Sequence, residues 1–251
     1  MIEFPSTKSV YVSWLAVLAL ALSAASLKAD LIHDYEFNGN LNDSLGGPSL
    51  LSLGGTIGAS SYTFGAEQGL SLSNALTTAG TYTIDLSFEL DDLSGYRKIL
   101  DFKNLASDNG LYNLNTALVY YNFGSGPDGS LAPATDVRVD LTRDAATNLV
   151  TGYVNGVAQF SFTDSTSDAT FTAANNIINF FQDDTVTGGR ESSSGSVDQI
   201  RIWDNALDAT AISDLGGPKS VPEGSSWLLG VALSGVGLVA RRRRPTAPPV
   251  V

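Results

Sequence analysis

The chain has 251 residues, no cysteine, one histidine and a formal net charge of −12. The missing cysteines remove disulfide staples, thiol catalysis and thiolate metal sites, and a single histidine cannot build a multi-histidine zinc site. So acidic a chain also excludes nucleic acid as a partner, because its phosphates would be repelled.

At the N-terminus, Lys8 supplies a weak positive start and residues 10–25 form an apolar run. Small residues then cluster at Ser23, Ala24, Ala25, Ser26 and Ala29. This is the layout of a secretory signal peptide over residues 1–29, cleaved after Ala25 or after Ala29, with the export machinery and signal peptidase as its partners. Between this segment and the C-terminal tail, residues 30–220 hold 8 basic and 24 acidic side chains. That length is enough for one β domain with a real core. Its acidity reads as a solvated exported surface or as divalent-cation binding.

From residue 31 the pattern is strands and turns. Residues 31–37 alternate in part and lead into a turn-rich loop over 38–47. The clearest strand is 81–90, with Tyr82, Ile84, Leu86, Phe88 and Leu90 on one face and Thr81, Thr83, Asp85, Ser87 and Glu89 on the other. Strict alternation predicts a half-buried antiparallel strand whose second face is solvated. Residues 99–102, 118–123 and 137–141 are further strand candidates. Around Asn155 and Gly156 the sequence predicts a hairpin over 149–162 with a type I′ turn. That register puts Tyr153 opposite Ala158, Thr151 opposite Phe160 and Leu149 opposite Phe162.

Residues 177–182 predict another strand, followed by a polar loop over 183–195. The last strand, 196–203, carries Ile200 and Ile202 on one face. A short helix follows, with Asp208 as N-cap, Leu207 and Ile212 as a hydrophobic staple and Gly216 as the stop. Many strands, one terminal helical turn and no alternation of strands with helices predict an all-β antiparallel sandwich.

Several stretches resemble the laminin-G-like, concanavalin A-like jelly rolls of bacterial surface proteins. They are Tyr35-Glu36-Phe37-Asn38-Gly39-Asn40-Leu41-Asn42-Asp43-Ser44, Gly152-Tyr153-Val154-Asn155-Gly156-Val157, and Gly195-Ser196-Val197-Asp198-Gln199-Ile200-Arg201-Ile202-Trp203 with Ala206-Leu207. The resemblance implies a sandwich over residues 30–216, followed by a linker at 217–220. It also implies a superfamily of lectins, adhesion modules and glycosidases, so fold does not settle function.

The tail has three parts: Val221, Pro222, Glu223 and Gly224, an apolar run over 225–240, and the block Arg241, Arg242, Arg243 and Arg244. This order resembles the PEP-CTERM sorting signal of Gram-negative bacteria, with Gly224 where that family usually has a second proline. The resemblance covers 221–244, leaves 245–251 as a tail, and implies processing by an exosortase. The run at 225–240 predicts a transmembrane helix in the inner membrane with its arginines cytoplasmic, an ordinary C-terminal anchor being the alternative. The domain is then exported, held at the membrane at least transiently, and delivered to the cell surface or beyond.

Chemistry is thinner. A retaining glycosidase needs two carboxyls about 5–5.5 Å apart, and the nearest run, Glu89, Asp91 and Asp92, stops without a second glutamate. No catalytic residue is therefore expected, and His33 reads as a strand residue near an edge. Tyr96, Tyr112, Tyr120, Tyr121, Phe181 and Trp203 are candidates to stack on sugar rings, most of them expected in the core. Asp183, Asp184 and Arg190 are candidates to line a ligand face. Asp198 shares a face with Ile200 and Ile202 and needs a partner. In laminin-G-like folds the first and last strands commonly lie together, which points to a structural calcium ion held by Asn38, Asp43 and Asp198, the alternative being that Asp198 only accepts backbone N–H bonds of the loop. The function expected is a binding or structural module towards extracellular polysaccharide or a surface protein, with a glycan-active enzyme as the alternative.

Overall fold

The computed structural model describes residues 30–171 and 176–219. The expected signal peptide and the sorting tail lie outside them. No helix among the described residues is long and apolar enough to cross a membrane.

In chain order the strands are β1 (Leu31–Tyr35), β2 (Leu51–Ser52), β3 (Thr56–Ile57), β4 (Tyr62–Phe64), β5 (Leu70–Leu72), β6 (Tyr82–Leu90), β7 (Tyr96–Asp101) and β8 (Gly110–Leu114). There follow β9 (Ala117–Tyr120), β10 (Gly124–Ser125), β11 (Val137–Asp144), β12 (Leu149–Val154), β13 (Val157–Thr163), β14 (Ile178–Phe180) and β15 (Gly195–Trp203), then one helix, α1 (Ala209–Asp214). They form two antiparallel sheets. The first runs β13-β12-β11-β6-β15-β4-β3, with β1 pairing the second half of β15, and the second runs β10-β9-β8-β7-β14-β5-β2. The first and last long strands therefore do lie side by side.

The core fills the space between the sheets. Ile84, Leu86 and Phe88 of β6, Ile200 and Ile202 of β15, and Leu100, Leu111, Tyr120 and Phe180 of the second sheet are all buried there. Phe64 stacks on Phe181 and Phe102 on Phe171, each at 4.6 Å between ring centroids. Alternation along each strand places these residues inward, as period two requires.

The second face of β6 is not solvated as its polar residues predict. Residues 204–219 lie across it and bury Thr83, Asp85 and Ser87. Thr83 Oγ1 donates to the carbonyl of Asn205 and accepts from the N–H of Leu207, while Ser87 Oγ accepts from the N–H of Lys219. Arg138 of β11, fully buried, donates to the carbonyls of Ile212 and Gly216. Its guanidinium also pairs with Asp140 at 3.1 Å, and Arg201 pairs with Asp85 at 3.1 Å. Asp140 sits directly opposite Asp85 across the ladder. Burial, and then the Asp85 carboxylate beside it, push the Asp140 carboxyl up to about 8.

The terminal helix forms as expected. The Asp208 carboxylate accepts from the N–H of Ala211 at 2.8 Å, and Gly216 stops the helix at φ +86°. The hairpin turn is also as expected, with Asn155 at φ +48° and Gly156 at +80°. Tyr153 faces Ala158, but a bulge between Gly152 and Tyr153 then moves Thr151 opposite Ser161 and Leu149 opposite Thr163. Beyond the bulge Gly152 pairs with Phe160, whose ring packs directly on it, where any side chain would collide.

Candidate functional site

The polar loop before β15 is pinned from inside. Asp184 is buried and accepts from the Lys98 ammonium at 2.8 Å and from the Tyr112 hydroxyl at 3.2 Å. Its other oxygen accepts from the N–H groups of Val186 and Thr187. Burial acts to raise this carboxyl, but the Lys98 hydrogen bond and charge, with the two N–H donors, outweigh it and hold it below the ordinary value. Asp183, also buried, accepts from the Thr187 hydroxyl and the N–H of Glu191. The expected ligand face of Asp183 and Asp184 is therefore an internal anchor. Arg190 alone of the three is exposed, and its Nε donates to the Thr187 carbonyl.

The expected calcium ligands do not fit an ion. Asp43 is buried, and its two oxygens already accept from the N–H groups of Asp34, Leu45 and Gly47 and bond His33 Nδ1 at 2.6 Å. Asn38 is exposed and donates to Glu36. The cation near Asp198 is Lys219, whose ammonium donates to the carbonyls of Asp198 at 3.3 Å and Glu36 at 3.0 Å. Asp198 occupies a bulge in β15, and burial, then the charges of Asp136 and Glu89, push its carboxyl up to about 6 against Lys219. Among the described residues no group of three His, Asp or Glu side chains is placed to hold a metal. His33 is on the edge strand as expected, but buried, with Nε2 held on the Ala75 carbonyl. The carboxylates of the run Glu89, Asp91 and Asp92 are dispersed among separate partners. Glu89 accepts from Ser196, Asp91 from Ser194, and Asp92 from Ser94 and Arg97. Those hydrogen bonds, Ser94's first, hold Asp92 at about 2, far too acidic for a general acid.

Besides grooves at the 36–44 loop and along Asp91 to Ser94, an aromatic surface is open. In the second sheet, Lys98, Tyr112 and Val119 are cross-strand neighbours on β7, β8 and β9. They alternate with the inward Leu111 and Tyr120, so they face away from the core. The Lys98 ammonium lies 4.4 Å from the Tyr112 ring centroid. Tyr96 meets the rings of Tyr112 at 5.8 Å and Tyr121 at 5.6 Å, both edge to face. Tyr112 is buried at the base, whereas Tyr96 and Tyr121 are half-buried. Beside them lies a groove of about 290 Å³ lined by Tyr96, residues 119–120 and residues 122–125. Phe123 is 38 % exposed. Asp108 lies 3.0 Å from the Tyr112 hydroxyl, whose one proton is shared between Asp108 and Asp184, and its charge pushes the Tyr121 phenol up. Half-exposed rings beside amide, hydroxyl and carboxylate groups suit the C–H faces and hydroxyls of a sugar.

Of the six aromatics singled out in the sequence, Tyr120 and Phe181 are in the core and Tyr112 and Trp203 are buried, leaving Tyr96 and Tyr121 open. Phe123, Asn122 and Asp108 were missed. The available signal was Tyr120-Tyr121-Asn122-Phe123, an aromatic run too long to be buried on one strand face.

No family model and no curated protein matches the chain. Solved structures do share the fold. Domain 4 of AbnA, a GH43 extracellular arabinanase from Geobacillus stearothermophilus in complex with arabinotriose, is 17% identical with a TM-score of 0.53. The match covers 75% of this chain and 98% of that one. A Trypanosoma rangeli sialidase in complex with sialic acid is 16% identical with a TM-score of 0.55, over 74% of this chain and 32% of that one. The binding domain of botulinum neurotoxin serotype D is 13% identical with a TM-score of 0.53, over 74% and 51%. This chain thus spans about a third of the sialidase and half of the neurotoxin domain. Identities this low establish a shared β-sandwich fold.

Proposed function

We propose that residues 30–219 form a glycan-binding module whose site is the groove beside Tyr96, Tyr121 and Phe123. The observation that carries this is the edge-to-face cluster of Tyr96, Tyr112 and Tyr121, with Tyr112 locked below and two rings left partly open. Rings held by packing lose little entropy on binding, so their stacking on a sugar is retained as affinity. The likeness in fold to a domain solved with arabinotriose supports the same reading. Nothing in the groove assembles a general acid with a nucleophile, so the reading is binding without turnover.

The proposal includes an address. The segments 1–29 and 221–244 send the module through export and an exosortase at the inner membrane to the surface of a Gram-negative cell, where extracellular polysaccharide is its partner. A glycan array probed with the purified protein tests the function, with Tyr121→Ala alongside and reducing-sugar release measured on every hit. Binding that Tyr121→Ala abolishes, with no sugar released, is the expected result. Binding unaffected by the substitution would place the site elsewhere, and sugar release would make the protein an enzyme.

A further inference from the structure

Resting on the groove just described, we infer that its ligand is an uncharged polysaccharide and that uronate-, sialate- and sulfate-bearing glycans are excluded. A shared fold leaves ligand charge open, since the related structures hold arabinotriose in one case and sialic acid in another. The cations of this chain decide it.

The described residues contain 8 Lys and Arg side chains against 24 Asp and Glu. Lys98, Arg138 and Arg143 are buried on internal carboxylates, Arg143 on Asp164 at 2.8 Å. Arg201 is bridged to Asp85 and Arg97 to Asp92. Lys103 donates to the carbonyls of Ser167 and Thr170, and Lys219 to those of Glu36 and Asp198. Arg190 is thus the single cation among the described residues bound only through its Nε.

The groove side of the second sheet has the opposite character. Asp108 stands beside Tyr121, and the loop that covers Lys98 carries Asp183 and Glu191, with Asp184 paired to Lys98 and Arg190 the loop's one cation. Burial, and then the charges of Asp108, Asp183 and Asp184, raise the Glu191 carboxyl, with Lys98 acting against them. An anionic sugar carboxylate seated in the groove would find no cation among the residues that line it. An uncharged sugar meets only hydroxyl, amide and carboxylate acceptors suited to its own O–H donors. Discrimination of at least about tenfold is expected at low salt, shrinking as salt screens the field.

Affinity electrophoresis of the purified full-length protein tests this, in native gels at low salt containing arabinan, β-glucan, alginate or hyaluronan, with Tyr121→Ala run beside the wild type. The expected result is retardation by at least one uncharged polymer, lost in Tyr121→Ala, and free migration in alginate and hyaluronan. Retardation by either anionic polymer overturns the inference. If Tyr121→Ala removes that retardation, the groove still stands as the glycan site; if not, the groove falls with the inference. Free migration in all four gels overturns both.

Discussion

Asp184 and Lys98 form an ion pair sealed from solvent, with both Asp184 oxygens used. Asp101 stands 3.9 Å from the same ammonium, and one oxygen each of Asp101 and Asp183 has no hydrogen-bond partner. Removing one partner of such a pair leaves a buried charge uncompensated, which costs roughly 3–5 kcal/mol, whereas replacing both by apolar groups is often close to neutral. Asp184→Ala is therefore expected to lower the urea unfolding midpoint sharply, and the double change Lys98→Met with Asp184→Leu to restore much of it. A double variant as unstable as the single would contradict the pairing. Asp140 gives a second prediction. Its carboxyl stays protonated in the folded protein up to about pH 8, while an unfolded aspartate titrates near ~4. The folded state thus binds the extra proton, so this stabilisation is full below about pH 4 and is lost as pH rises through about 8. Asp198, raised to about 6, adds to the same loss. Asp43 and Asp184, held below the ordinary value, act oppositely and lose their contribution in acid. Stability is expected to be greatest near pH 5 and to fall towards pH 8, with Asp140→Asn flattening the alkaline side; a urea midpoint that rises from pH 5 to pH 8 would contradict this. None of these pairings was legible in the sequence, because Lys98 lies 86 residues from Asp184 and Lys219 meets Glu36 across 183.

Elements were more legible than the residues on them. The Asn155-Gly156 turn, the Asp208 cap and the inward face of β6 were all readable, since each is set by neighbours within a few positions. What escaped was whatever a distant segment decides. The outward face of β6 reads as solvated until residues 204–219 are laid over it, and the hairpin shifts register where Phe160 packs on Gly152. Strands β2 to β5 are two or three residues long and carry too little periodicity to be seen. The turn itself offers a test. Gly156 has φ +80°, and a Cβ there would lie 3.3 Å from Ser213 Cα and 3.4 Å from the Arg138 guanidinium. Gly156→Val is expected to cost about 1–2 kcal/mol through the left-handed backbone alone, with crowding against α1 in addition. An unchanged unfolding midpoint would contradict the left-handed turn at Asn155-Gly156.

At the scale of the molecule, the sandwich spends one outer face on its own C-terminal segment and leaves the other to the tyrosine cluster. That asymmetry places the candidate site on the second sheet. It was only partly legible, since Tyr96 and Tyr121 are indistinguishable in sequence from the buried Tyr112 and Tyr120. Sheet assignment and the loop over Lys98 separate them. The acidic surplus, by contrast, was visible from composition, and the structure adds that almost every cation is committed internally. The most direct measurement is a crystal structure of the protein with an oligosaccharide that it retains. The account expects a sugar ring against Tyr96 and Tyr121, with its hydroxyls towards Asn122 and Asp108. A sugar bound instead at the 36–44 loop or along Asp91 and Asp92, with the tyrosine groove empty, would contradict it.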